Sequence, residues 1–136
     1  KAAMKKNFHR NSLDRLIESS LFTVEGGVLA TTRLIERGVT AVICGSDLMA
    51  LGAIRAARQH NLLVPDEFSV VGYDDSVLIA FTDPPLTTIR QSVSVMSQAV
   101  VASLLQEIAG AKEPRSELMF QPELVVRAST AACVPR

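Results

Sequence analysis

Tryptophan is absent from this 136-residue chain, and it holds only two histidines and two cysteines. So small a stock of imidazole and thiol leaves little for metal binding or nucleophilic catalysis. His9 and His60 are far apart in sequence, and Cys44 and Cys133 lack metal-ligand spacing, so no metal and no cofactor is expected. Two isolated thiols suit a reducing compartment rather than a disulfide scaffold, which predicts a cytoplasmic chain. There is no run of about 18 apolar residues to span a membrane, and no secretory pattern at the amino end. Lys plus Arg number 14 and Asp plus Glu number 14. That balance excludes the broad basic face of a nucleic-acid binder. Only residues 1–10, KAAMKKNFHR, are locally basic, and they read as a solvated helix face or a cut end. The chain opens without Met, inside what reads as the end of a helix, so a fragment or proteolysed product is expected.

What is present is a core. Apolar residues make up 48% of the chain, enough to fill one domain. LIESSLF, 16–22, reads as a strand. EGGVLATTRLIERG then sets Val28, Ala30, Leu34 and Ile35 near one helical face, with Gly38 as the stop. VTAVICG is a short continuous apolar run, the pattern of a strand buried on both faces. Ser46 is a good N-cap for a helix reaching about His60, and Asn61 suits the left-handed residue that ends it. A turn at Pro65-Asp66 leads to a second buried strand, Phe68 to Tyr73. Pro84-Pro85 breaks regular structure before a short strand, LTTI, and SVSVMSQAVVASLLQEIAG reads as a long amphipathic helix closed by Gly110. SELMFQPELVVRAST is strand-like, with Pro122 at a bend or edge. Strands alternating with helices at this spacing predict parallel right-handed crossovers in a three-layer α-β-α open sheet, an α/β fold.

Ligands of such sheets sit beyond the carboxyl ends of the strands. Phe22-Thr23, Gly45-Ser46-Asp47 and Tyr73-Asp74-Asp75 lie at those ends and are expected to converge on one crevice. Catalytic readings of them fail. Gly45-Ser46 lacks the Gly-x-Ser-x-Gly elbow, and His60 falls at the far end of the helix that Ser46 starts, about 20 Å away. Asp74 and Asp75 are adjacent on an extended segment and point to opposite sides, so they cannot flank a glycosidic bond. No phosphate-cradling glycine motif occurs. A neutral polyol fits better, because an aspartate at a strand end can accept hydrogen bonds from neighbouring hydroxyls. Asp74 is the leading candidate, with Ser46 beside it and Phe22 offering a flat apolar face. Structural readings compete at three positions: Asp47 as a first-turn residue, Asp75 as a turn cap and Phe22 as core.

TAVICGSDLMALGAIRAARQHNLLVPDEFSVVGYDDS, then DPPLTTIRQ and finally PELVVRAST, resemble bacterial repressors of the lactose and galactose repressor family. The likeness runs from about Phe22 to Thr130 and implies the fold of periplasmic sugar-binding proteins. A solute-binding protein of a sugar transporter is the alternative that fold carries. A family member has a helix-turn-helix head, a hinge helix and a two-lobed effector domain. By that resemblance residues of about 16–91 and 118–130 form the carboxyl-terminal lobe, and about 92–117 form a crossover helix that packs on the other lobe. The head is absent, so operator DNA would be bound only through sequence outside this chain.

The resemblance also implies roles. Asp74 matches the aspartate that binds effector hydroxyls, Ser46 the position where members often have Asn, and Phe22 an effector-stacking aromatic. Leu51 and the stretch Leu78, Ile79 and Phe81 match a homodimer surface. Gln91 sits near the crossover into the other lobe. Three positions depart from the pattern: Ser46 has a shorter reach than Asn, Val93 stands where some members place an aromatic, and Ser97 replaces a usual Gly. Without its partner lobe, the helix from about Ser94 to Ala109 would expose Val95, Ala99, Val100 and Leu104, and is expected to collapse or swap. The implied function is effector sensing, with a sugar the leading class, and allosteric control of operator binding by lobe closure in a dimer.

Overall fold

A computed structural model describes residues 13–110 and 117–133. The basic stretch 1–10 lies outside them. A 3-10 turn, Leu13–Leu16, precedes helix α1, Val24–Glu36. Strand β1, Ala41–Ile43, feeds helix α2, Asp47–Gln59, and strand β2, Ser69–Asp74. A second 3-10 turn, Val77–Phe81, leads to strand β3, Thr87–Arg90. Helix α3, Val93–Ile108, and strand β4, Glu123–Val125, complete the order. The sheet runs β1-β2-β3-β4. β1, β2 and β3 are parallel, whereas β4 returns antiparallel beside β3, Ile89 opposite Leu124.

Both early helices begin where their caps stand. Thr23 Oγ1 accepts from the Gly26 N–H at 3.0 Å, and Ser46 Oγ from the Met49 N–H at 3.2 Å; such caps stabilise by about 1 kcal/mol each. α2 ends at His60, with Asn61 at φ 57° as the residue type suggested. The expected strand over 16–22 does not form: residues 17–21 carry no regular structure. Polar Glu18, Ser19 and Ser20 interrupt its apolar pattern. Glu18 instead pairs with Arg33 and Arg37 of the α1 region, which ties the segment to that helix rather than to a strand edge.

α1 and α2 approach backbone to backbone. A Cβ built on Gly52 would lie 2.1 Å from the Val24 carbonyl oxygen, and one on Gly27 would lie 2.2 Å from that of Met49. Beneath α2, Val42, Ala53, Ile54, Phe68, Val70 and Leu86 form the core. Ser129, fully buried, closes the lower end of the sheet, donating to the Val70 carbonyl at 2.6 Å and accepting from the Thr87 N–H at 2.8 Å.

The described residues supply one helical layer. Alternating side chains of β1 diverge in fate: Val42 is buried, while Ile43 is 82% exposed. This corrects the reading of β1 as a strand buried on both faces, because apolarity says a face wants cover and not which element supplies it. α3 stands off the sheet with no buried residue, and Val100 and Leu104 are exposed. It has not collapsed onto the lobe.

Cys44 is buried at the end of β1, and burial pushes its thiol up to about 12. The thiolate that reacts with disulfide reagents is then scarce at pH 8. Native protein treated with Ellman's reagent at pH 8 is expected to leave Cys44 unmodified until denaturant is added; mass spectrometry showing fast native labelling of Cys44 would contradict this.

Candidate effector site

The polar strand ends do share one edge. β1 and β2 are parallel and paired Ile43 to Val71, so Gly45-Ser46 and Tyr73-Asp74 emerge side by side. The Phe22 ring lies over Gly45, since a Cβ there would meet its Cε1 at 3.2 Å. Phe22 is 67% exposed, so its ring is an available apolar plate rather than core. Ser46 is buried and its Oγ already serves as a cap acceptor, which leaves its hydroxyl proton to donate.

Asp74 is exposed, and Gln91 Nε2 donates to its Oδ1 at 3.3 Å. Its backbone is unusual: φ is 115° at Asp74 and 56° at Asp75, two consecutive left-handed residues without a glycine. The kink parts the two carboxylates. Asp75 turns inward, where Arg90 Nε donates to Oδ2 at 2.6 Å and Arg127 Nη2 to Oδ1 at 2.7 Å. Burial pushes the Asp75 carboxyl up, but hydrogen bonds from Arg127 and Arg90 outweigh it and hold the group below the ordinary carboxylate range. Arg127 also donates to the Leu86 carbonyl at 2.8 Å, and Arg90 pairs with Glu123 at 3.5 Å.

Asp47 does more than its first-turn position suggested. It is buried, its Oδ1 accepts from the Thr88 hydroxyl at 2.7 Å and its Oδ2 from the Ser76 N–H at 2.7 Å. The carboxylate passes over Gly72, where a Cβ would come within 2.5 Å of Oδ1. A glycine two residues before Asp74 was the available sign that something crosses the strand there.

A concavity of about 180 Å³ adjoins Asp74 through Gln91 and is lined by Tyr73, Met96 and Phe120. A larger one, about 570 Å³, lies on the bare face between Ile43, Val71 and Ala131 and carries none of the polar strand ends. The first is the one placed for the site's chemistry. Among the described residues no group of three His, Cys, Asp or Glu side chains could hold a metal ion. No helix among them is long and apolar enough to cross a membrane.

Of the four residues assigned to a dimer face, Ile79 is placed elsewhere. It is 1% exposed and belongs to the core, because the 3-10 turn presents one residue inward while Leu78 and Phe81 point out. Leu78 is 78% and Phe81 84% exposed, Val77 joins them, and Leu51 is half-buried.

Residues 3–130 match the periplasmic binding protein-like domain. The chain belongs to that family, in its lactose and galactose repressor branch. The transcriptional regulator MalR of Streptomyces coelicolor is 62% identical over 117 residues, which are 86% of this chain and 34% of that protein. Among solved structures, the regulator CelR in complex with cellobiose superposes with a TM-score of 0.84 at 32% identity, covering 94% of this chain and 39% of that one. The lac repressor dimer bound to operator and an anti-inducer gives 0.75 at 32% identity, covering 94% and 47%. All three are regulators of transcription, and none is a transport protein. The chain spans about a third of the length of the curated relatives it matches.

Proposed function

We propose that this chain forms the effector-sensing and dimerising part of a repressor that controls operator DNA binding, with a neutral sugar as effector. Residues 16–91 and 118–130 serve as the carboxyl-terminal lobe, and 92–117 as the crossover toward a second lobe. The observation that carries the reading is Asp74. Its exposed carboxylate stands at the end of β2 on a strained backbone, flanked by Ser46 and the Phe22 plate. A carboxylate with free lone pairs accepts from vicinal hydroxyls, and the ring packs against a sugar's apolar face. The cellobiose complex of a relative at 32% identity supports the sugar class. Such a protein changes operator affinity without turning substrate over, and works in the cytoplasm, where the operator is.

The exposed helix α3 supports a second lobe closing on the ligand, which shifts the balance between states only by touching both lobes. Leu51 and the exposed Val77, Leu78 and Phe81 form the self-association face.

The test uses the full-length protein against cellobiose, maltose and ribose. A ligand at 100 times its Kd adds about 2.7 kcal/mol to stability, which a thermal shift detects. Asp74→Asn, which tolerates positive φ as Asp does, is expected to weaken the stabilising sugar by about tenfold or more, the loss of one charge-assisted hydrogen bond. Titration calorimetry giving the same Kd for both proteins would remove Asp74 from the site.

A further inference from the structure

Two consecutive non-glycine residues at positive φ are costly, and such strain persists only where surrounding contacts over-determine it. Here it falls on Asp74 and its successor. The contacts that hold it come from three separate elements. Asp75 is gripped by Arg90, at the end of β3, and by Arg127, beyond β4. The next N–H, that of Ser76, is taken by the Asp47 carboxylate from the start of α2. Arg127 is itself fixed by the Leu86 carbonyl, and Asp47 by the Thr88 hydroxyl. Asp75 is turned away from the exposed edge, and both Asp47 oxygens are already occupied.

We infer that Asp75 and Asp47 are positioning residues for the effector: they touch no ligand, but hold the 74–76 kink so that the Asp74 carboxylate faces the sugar. The inference rests on the proposed role of Asp74. Relaxed to ordinary extended backbone, Asp74 would follow the strand's alternation and lose its aim, while the lobe stayed folded. Arg90 also adjoins the connection that leaves the sheet at Gln91, and it pairs with Glu123 where the chain re-enters at β4. The grip on Asp75 therefore ties the aim of Asp74 to the place where the chain crosses out of the lobe.

A double-mutant cycle separates positioning from a general structural role. Affinity for whichever of cellobiose, maltose or ribose stabilises the full-length wild type is measured by calorimetry in wild type, Asp75→Asn, Asp74→Asn and the double variant. Thermal melts without sugar record the structural effect. Asn retains tolerance of positive φ but loses the charge that both arginines hold. Asp75→Asn is expected to weaken binding about tenfold in the wild-type background and no more than about twofold once Asp74 is Asn. Equal losses in the two backgrounds, or no loss, overturn the inference while leaving the sugar-binding reading intact. No binding of any of the three sugars by wild type overturns both. If Asp75→Asn does not fold, Arg90→Gln removes one partner at a half-exposed position. It should give a smaller loss that disappears in the Asp74→Asn background, and its absence overturns the inference equally.

Discussion

Replacing Gly52 by alanine should destabilise the lobe by about 3 kcal/mol or more. Intrinsic helix propensity predicts the opposite sign, since alanine in place of glycine inside a helix gains about 1 kcal/mol. Geometry decides between them. The added Cβ would sit 2.1 Å from the Val24 carbonyl oxygen, 2.7 Å from the Val28 nitrogen and 2.9 Å from the Gly27 Cα. All three are backbone atoms of α1, so no side-chain rotation relieves the overlap. The helices must separate, and α2 would carry Ala53, Ile54 and Ala57 away from β1 and β2. Urea denaturation measures the effect directly. A midpoint equal to or above that of wild type would show that propensity wins and that the two helices do not meet as closely as described.

The second large effect is expected at Asp47. Truncation to alanine removes the only acceptors that the Thr88 hydroxyl and the Ser76 N–H have among the described residues, at a site where Thr88 is fully buried. Each polar group left without a partner out of water costs about 1–3 kcal/mol, so a loss of roughly 3 kcal/mol is expected. Asp47→Asn keeps one carbonyl oxygen and should lose about half as much. On the proposed role of Asp74, both variants are expected to free the 74–76 kink and to weaken sugar binding beyond their effect on folding. If the chemical-denaturation midpoint of Asp47→Ala matched that of wild type, Asp47 would be a first-turn residue and nothing more.

These two positions show which part of the molecule could be read without coordinates. The helices over 24–36 and 47–59 were legible because periodicity, capping and termination are local: Ser46 sits where its hydroxyl reaches the third residue on, and Gly38 and Asn61 take left-handed backbone at the ends, whereas the cap at Thr23 was not read from the sequence. The strand through 69–74 was legible because its apolar run is bounded by turn residues. The stretch 16–22 was not. Its fate depends on Arg33 and Arg37, far along the chain, which hold Glu18 against α1.

The candidate site divides in the same way. Ser46 and Asp74 were singled out by one topological rule, that strand ends in a parallel sheet gather the ligand; Phe22 was placed by a strand that does not form, yet its ring still lies over Gly45 at the same edge. Ile79 was misassigned because the sense of a 3-10 turn is set by what lies beneath it, here the core around Leu86. The contribution of Arg127 lay out of reach, because it is 52 residues from its partner Asp75.

By itself the sequence determined the order and type of most elements and the polar segments that follow β1 and β2. Those depend on interactions within a few residues and on a handedness rule that holds for any parallel crossover. Only the tertiary structure decided that Asp47 serves β3 and the turn after β2 rather than its own helix, that Asp75 faces inward while Asp74 faces out, and that the backbone at both is strained. The physical reason is common to all three. A carboxylate binds whichever donor the fold brings within 3 Å, and that donor is chosen by packing between distant segments.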